Sequence, residues 1–99
     1  MATKPLTGKQ ARFLRGLGHH LNPIVMIGRG ELSEAVLRST DEALKVHELI
    51  KVRLQEGCEL DRRDVATVLA EKSGAQVAQI LGKTFLLYRE ADDKKIILP

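Results

Sequence analysis

A short apolar run that ends at two closely spaced glycines constrains the fold more than any other part of this sequence. Residues 24–27 have the length and the β-branched content of a buried strand. Gly28 and Gly30 follow, with Arg29 between them, and Ser33 then precedes a long amphipathic pattern that predicts a helix. Backbone N–H groups at such a turn and helix start can bind an anion, and Arg29 can contact a phosphate. The stretch therefore predicts a strand, an anion-binding loop and a helix in succession.

The length and composition predict a single soluble domain. The 99 residues suit one domain over 1–99, with residues 1–6 as a loose lead-in. The lone Cys58 cannot form an internal disulfide, which fits a reducing compartment. Because no apolar run is long enough to span a membrane, we expect a cytoplasmic protein without a membrane partner.

Positive charge is concentrated at the beginning of the chain. Residues 1–30 contain five Lys or Arg residues and no carboxylate, although the net charge of the whole chain is only +3. At helical spacing, one outward side of the helix predicted at 8–18 carries Lys9, Arg12, Arg15 and His19. A helix that is merely solvated normally mixes in glutamates, so this stripe favours a polyanionic partner. A chance excess of cations on a solvated helix is the alternative.

The remaining patterns predict an α/β fold with the element order α-β-α-β-α-β-β. Helices are expected at 8–18, 34–46 and 62–73, with Thr7, Ser33 and Asp61 as N-caps and Gly74 after the third helix. Strands are expected at 24–27, 48–54, 76–81 and 84–89, with a possible short edge strand at 95–98. Such elements form a two-layer sandwich, in which a small mixed sheet carries its helices mainly on one face. Glycine first in the pair at 82–83 predicts a two-residue hairpin turn.

The sequence offers little for catalysis or metal binding. The Gly-Lys-Thr at 82–84 is not a phosphate-binding P-loop, because Val77 stands where that motif needs glycine and a strand follows instead of a helix. The histidines and Cys58 lack the spacing of metal ligands, and His47 lies on the apolar face of its helix, where packing explains it. No nucleophile with a base is evident. We therefore expect no enzyme, no metal, no cofactor and no small-molecule substrate.

Five motifs in order resemble the YhbY-like family of stand-alone CRM domains over essentially the whole chain. They are LRGLGH at 14–19, NPIVMIG at 22–28, LSE at 32–34, HELIKV at 47–52, and GKT at 82–84 with LYR at 87–89. The resemblance implies an RNA-binding fold related to KH modules and to the C-terminal domain of translation initiation factor three. It also implies a role on rRNA in assembly of the large ribosomal subunit. The resemblance does not give the oligomeric state.

The resemblance further implies a GxxG loop that holds the RNA backbone. Gly28 matches its first glycine, whereas Glu31 occupies the position of the second and Gly30 lies one place early. Lys51 and Arg53 extend the basic surface or are the solvated side of a half-buried strand, and the family match makes Lys83 a plausible contact. The candidate RNA contacts are Gly28, Arg29, Gly30, Lys9, Arg12, Arg15, His19, Lys51 and Lys83. The alternative function is a protein-interaction module that docks on a ribosomal protein or assembly factor through the mixed-charge outer face of the second helix.

Overall fold

A computed structural model describes residues 5–28 and 32–99 and shows the predicted order of helices and strands. The first and third helices have the predicted bounds, and the second extends one residue further. The elements are α1 (Gly8–Gly18), β1 (Val25–Ile27), α2 (Glu34–His47), β2 (Leu49–Leu54), α3 (Arg62–Ser73), β3 (Gln76–Leu81) and β4 (Thr84–Tyr88).

The helix ends are fixed by the predicted capping residues. Thr7 forms a capping box with Gln10, in which each side chain bonds the backbone N–H of the other residue. Ser33 accepts a hydrogen bond from the Val36 N–H at 3.2 Å, and the Asp61 carboxylate accepts two at the start of α3. Gly74 ends α3 in the left-handed conformation, with φ of 70°. Local sequence therefore determines where each helix begins and where α3 ends.

The four strands form a mixed sheet in the order β1-β2-β4-β3. β1 pairs with β2 in parallel, and the other two pairings are antiparallel. Gly82 has φ of +59°, whereas Lys83 has no positive φ, so the β3–β4 turn is of the predicted type with glycine first. The parallel pairing of β1 and β2 places both of their carboxyl ends, and hence the starts of α2 and α3, at one end of the sheet.

The sheet is apolar on both faces, which explains where the helices pack. On one face α2 and α3 cover the main core, which includes Ile50, Val52, Phe85 and Leu87. On the other face α1 packs through Leu14, and the buried residues there are Leu14, Leu49, Ala78, Leu86 and Tyr88. Two helices thus share one face, as predicted, and α1 adds a partial third layer because β2 and β4 also carry apolar residues on its side.

Four local expectations were wrong. The run at 24–27 is not a fully buried strand, because β1 lies at the sheet edge and leaves Ile24 50% and Met26 47% exposed. His47 is exposed rather than turned inward. Among the described residues, 95–98 form no strand, and the Glu48 carboxylate holds this segment instead. Glu48 itself precedes β2 rather than starting it.

Gly16 and Gly18 offer a matched test of α1 packing. A Cβ at Gly18 would overlap the end of the buried Leu86 side chain, with Cδ2 at 2.7 Å, whereas a Cβ at Gly16 would meet nothing within 4 Å. We expect Gly18→Ala to lower the free energy of unfolding by about 1–3 kcal/mol. Gly16→Ala should raise it by about 0.5–1 kcal/mol, because alanine favours the helix. Urea denaturation measures both, and equal effects would contradict close packing of α1 on β4.

Candidate nucleic-acid interface

Several loops meet at the end of the sheet where β1 and β2 finish. The Gln55 N–H donates to the Ile27 carbonyl at 2.8 Å, and the Leu54 N–H donates to the Lys83 carbonyl at 2.8 Å. Arg62 reaches from the start of α3 and donates through Nη1 to the Gly82 carbonyl at 2.8 Å. We call this region the loop end. At the loop end these hydrogen bonds connect Ile27, just before the glycine loop, with the end of β2, and connect the hairpin tip with the end of β2 and the start of α3.

The glycine loop begins at the loop end, but most of it lies outside the described residues. Gly28 is half-buried, and a Cβ there would lie 3.3 Å from Gln55 Oε1, so a larger residue would press on that side chain. The predicted anion site also depends on Arg29, Gly30 and Glu31, which lie outside residues 5–28 and 32–99. Beyond them α2 begins with a normal N-cap, so its N–H groups face the loop end. The flanks of the loop therefore have the predicted strand-to-helix geometry.

The hairpin tip lies on the other side of β2 from the glycine loop. Lys83 is exposed at this tip, and its carbonyl bonds the end of β2. Adjacent strands are about 4.8 Å apart, so the backbone of Lys83 lies roughly 10 Å from that of Ile27 across β2. The structure therefore brings Lys83 and Gly28 to the same end of the molecule, although they are far apart in sequence.

The predicted basic stripe lies on the outer side of α1. We call Lys9, Arg12, Arg15 and His19 the α1 stripe. All four are exposed, while Leu14 and Gly18 on the opposite side of the helix are buried. None of the four forms a salt bridge within the part of the chain that the structure describes. The charges of Lys9, Arg12 and Arg15 are thus available to a partner, on a different surface from the loop end.

Lys51 lies on the sheet face that α1 covers in part. It is half-buried, and it pairs across the ladder with Leu86, the residue under Gly18. Two residues further along β2, Arg53 is exposed on the same face. Lys51 is therefore beside the carboxyl end of α1, and Arg53 leads from there toward the loop end. From the sequence alone Arg53, like Lys51, either continued the basic surface or was the solvated side of a half-buried strand, and only the extent of α1 on the sheet shows that its row is open.

A partly buried ionic network at the opposite end of the molecule was not predicted. Arg89 donates through Nη1 to Asp41 Oδ1 at 2.7 Å and to the Ser73 carbonyl at 2.7 Å. The hydrogen bond from Arg89, and then the one from Lys45, hold the pKa of Asp41 below its usual value. Alternation along β4 places Arg89 on the same face as Phe85 and Leu87, which is the signal that it needs a partner. The network joins α2, α3 and β4, so its role is structural.

Glu48 lies beside this network, and its main-chain carbonyl accepts a hydrogen bond from the Arg89 N–H at 2.9 Å. It is 0% exposed, and its carboxylate accepts hydrogen bonds from the backbone N–H groups of Ala91, Lys95 and Ile96. Burial alone would raise the pKa of Glu48, but these three donors outweigh it and hold the pKa below its usual value. Glu48 also has φ of 61°, a conformation that side-chain-bearing residues rarely adopt. The carboxylate thus fixes the chain after β4 against the end of α2.

The described residues contain no cluster of side chains suited to a metal ion. Within 5–28 and 32–99 no group of three or more His, Cys, Asp or Glu side chains could hold a metal ion. No helix in these ranges is both long and apolar enough to cross a bilayer. An open cleft of about 410 Å³ lies at the loop end beside Cys58, Arg62 and Lys83.

Known proteins resemble this chain over most of its length. The CRS1 / YhbY (CRM) domain matches residues 6–89. YqeI of Bacillus subtilis, named a probable RNA-binding protein, is 45% identical over 95 residues, which cover 95% of this chain and 99% of YqeI. An RNA-binding protein of Haemophilus influenzae is 39% identical over 94 residues, which cover 95% of each chain.

The fold is shared as well. The solution structure of SAV1595, a hypothetical Staphylococcus aureus protein described as a candidate RNA-binding protein, has a TM-score of 0.81 to this chain at 38% identity. The match covers 95% of this chain and 99% of SAV1595. Similarity in sequence and in fold therefore extends over nearly the whole molecule. This chain belongs to the CRS1 / YhbY (CRM) domain family.

Proposed function

We propose that this protein binds RNA without catalysis and acts on rRNA during assembly of the large ribosomal subunit. The observation that carries the proposal is the α1 stripe, whose cations are exposed, free of salt bridges within 5–28 and 32–99, and unaccompanied by any carboxylate on their helix. Membership of a family whose relatives are named RNA-binding proteins, rather than enzymes, supports RNA as the polyanion. The rRNA target rests on the family resemblance. The cytoplasmic location rests on the single free cysteine, which fits a reducing compartment.

Phosphate groups are the main feature of RNA that this interface would contact. The loop from Gly28 to Gly30 and the start of α2 would hold backbone phosphates, while the α1 stripe and Lys83 extend the contact area. Aromatic stacking is limited, because Phe85 and Tyr88 are buried and only Phe13, at 40% exposure, reaches the surface. The protein should therefore recognise the shape and backbone of RNA more than its sequence.

Docking on a protein through the outer face of α2 is the alternative function. The sequence predicted a mixed-charge face there, and within it the Asp41 carboxylate is already held by Arg89 and Lys45. Arg38 and Glu42 remain exposed there. A charge reversal at Arg38 would weaken such docking and should lower RNA affinity only slightly, through long-range repulsion.

RNA binding should be strong at low salt and should fall steeply as salt is raised. If roughly four to six phosphates are contacted, an increase from about 50 to about 200 mM salt should weaken binding by roughly a hundredfold. Fluorescence anisotropy with a structured large-subunit rRNA fragment, and duplex DNA as competitor, measures this dependence. Equal affinity for RNA and DNA, or no binding at moderate salt, would overturn the proposal.

The same titration tests the glycine loop. Gly30→Asp would place a carboxylate in the proposed phosphate site and should lower affinity for RNA. Thr67→Asp is the matched control, because it adds the same negative charge at an exposed position of α3. Unchanged binding by Gly30→Asp would move the site from the loop to the α1 stripe.

A further inference from the structure

Four side chains form a row across the sheet at the loop end. The strand register pairs Met26 with Arg53, Arg53 with Thr84, and Thr84 with Leu81. Paired residues of neighbouring strands lie on the same face of a sheet, so this row lies on the α1 side. We call Met26, Arg53, Thr84 and Leu81 the open row. Each of the four strands contributes one member.

Helix α1 does not cover the open row. Its contact with the sheet is centred on Leu86 and Tyr88, which are 2% and 5% exposed, and Gly18 at its end lies over Leu86. Beyond that point Met26 is 47% exposed, Leu81 is 64% exposed, and Arg53 is exposed as well. Two large apolar side chains therefore lie in solvent on either side of a guanidinium group, on a rigid sheet.

The charge of this sheet face matches a polyanion. Among the strand residues that point to the α1 side, Lys51 and Arg53 are the charged ones, and none is acidic. Neither cation forms a salt bridge within residues 5–28 and 32–99. A protein surface would have to supply carboxylates to both cations, whereas RNA supplies phosphates along its whole length.

The open row also adjoins the groups already assigned to phosphate binding. Gly28 follows Met26 by two residues, and Lys83 immediately precedes Thr84. In the next row of the sheet Lys51 leads to the end of α1. An RNA strand that contacts both the loop end and the α1 stripe would therefore pass over the open row.

We propose that the open row binds unpaired bases of the RNA, so that the ligand of this protein includes a single-stranded segment; this inference rests on the proposed function. A base can stack on the planar Arg53 guanidinium and pack against the apolar side chains of Met26 and Leu81. The Thr84 hydroxyl already donates to the Leu81 carbonyl at 2.8 Å, so it gives shape rather than base-specific hydrogen bonding. Such contacts tolerate any base, which agrees with recognition of backbone and shape.

The test compares a short single-stranded RNA with an abasic strand of the same length, which keeps every phosphate and removes every base. We expect the wild-type protein to bind the normal strand about tenfold more tightly, since stacking contributes substantially for each base. The double variant Arg53→Lys with Leu81→Ser keeps the net charge and removes the stacking surface. It should lose this preference while its affinity for the abasic strand stays unchanged.

A matched control keeps the test specific to the open row. Arg38→Lys with Val46→Ser makes closely similar changes on α2, where Arg38 is exposed and Val46 is 53% exposed. It should keep the full preference for the normal strand. All four positions are exposed, so both variants should fold, and circular dichroism checks this.

The possible results separate this inference from the proposed function. Equal wild-type affinity for the two strands, or an undiminished preference in the Arg53→Lys/Leu81→Ser variant, would overturn binding of bases by the open row and leave RNA binding itself intact. Failure of the wild-type protein to bind the two short strands, with the rRNA fragment still bound, would also overturn only the inference. Failure to bind the rRNA fragment as well would overturn the proposed function.

Discussion

Reversing both arginines of the α1 stripe, by Arg12→Glu with Arg15→Glu, should lower the affinity for RNA by about a hundredfold at moderate salt. Both side chains are exposed and have no salt-bridge partner in the described parts of the chain, so their whole charge acts on the ligand. The variant loses two attractive contacts with phosphate and gains two repulsive ones. The slope of log affinity against log salt should also become shallower by about one to two.

A control with the same change of charge separates local contact from net charge. Arg38→Glu with Lys72→Glu also takes the formal net charge from +3 to −1, since two cations become two anions. Arg38 is exposed on α2 and Lys72 on α3, the helices that cover the opposite face of the sheet. This control should lose less than about fivefold in affinity, through long-range repulsion alone.

The comparison also decides between the two functional classes. If the α1 variant binds RNA as well as the control does, the stripe is not part of the interface. If Arg38→Glu with Lys72→Glu abolishes association with ribosomal particles while the α1 variant keeps it, docking through α2 explains the association better. Sedimentation of each variant with ribosomal particles measures association with the particles, and the anisotropy titration measures RNA binding.

The sequence predicted the elements well because their signals are local. Capping residues such as Thr7, Ser33 and Asp61 act within one helical turn, and the Gly82 turn acts within two residues. The stripe on α1 was equally accessible, because helical spacing alone places its members on one side. Features that depend on neighbouring residues could therefore be predicted before the fold was known.

The rest depended on contacts between distant parts of the chain. Arg53 could not be distinguished from an ordinary solvated strand residue, because whether its row is covered depends on where α1 ends on the sheet. The sequence pattern placed Glu48 in a strand. Its actual role could not be seen there, because its hydrogen-bond partners come 43 to 48 residues later. Apolar residues on both faces of β2 allowed helices on either side, and only the packing shows that α1 takes the second face.

Glu48→Ala should lower the free energy of unfolding by about 2–4 kcal/mol, which corresponds to a fall in Tm of roughly 10–30 °C. The substitution leaves three backbone N–H groups of the last residues without their acceptor. Those residues also hold α1, because Ile96 and Leu98 pack against its cluster and the Gln10 side chain donates to the Pro99 carbonyl at 3.3 Å. Hydrogen exchange should therefore accelerate in α1 as well as in the last residues.

Two further variants separate the carboxylate from the backbone at this position. Glu48→Gly loses the carboxylate but relieves the positive φ of 61°, so it should be more stable than Glu48→Ala by about 1 kcal/mol. Glu48→Gln keeps the shape and one carbonyl oxygen but no charge, and should also be more stable than Glu48→Ala. Wild-type stability in Glu48→Ala would show that the carboxylate does not hold the last residues.

The dependence of stability on pH identifies the charged form as the one that matters. Three backbone donors and the nearby Lys95 hold the pKa of Glu48 below its ordinary value of 4.5, so the folded protein releases this proton more readily than the unfolded chain does. The stabilisation is therefore complete above about pH 5 to 6 and is lost as pH falls through the lowered pKa. Asp41 has a lowered pKa as well and contributes in the same direction, so acid alone does not isolate Glu48. The difference in unfolding free energy between the wild-type protein and Glu48→Gln isolates the contribution of Glu48. This difference should shrink as pH falls below 4.5. A difference that stays constant with pH would show that the charge of Glu48 is not what holds the end of the chain.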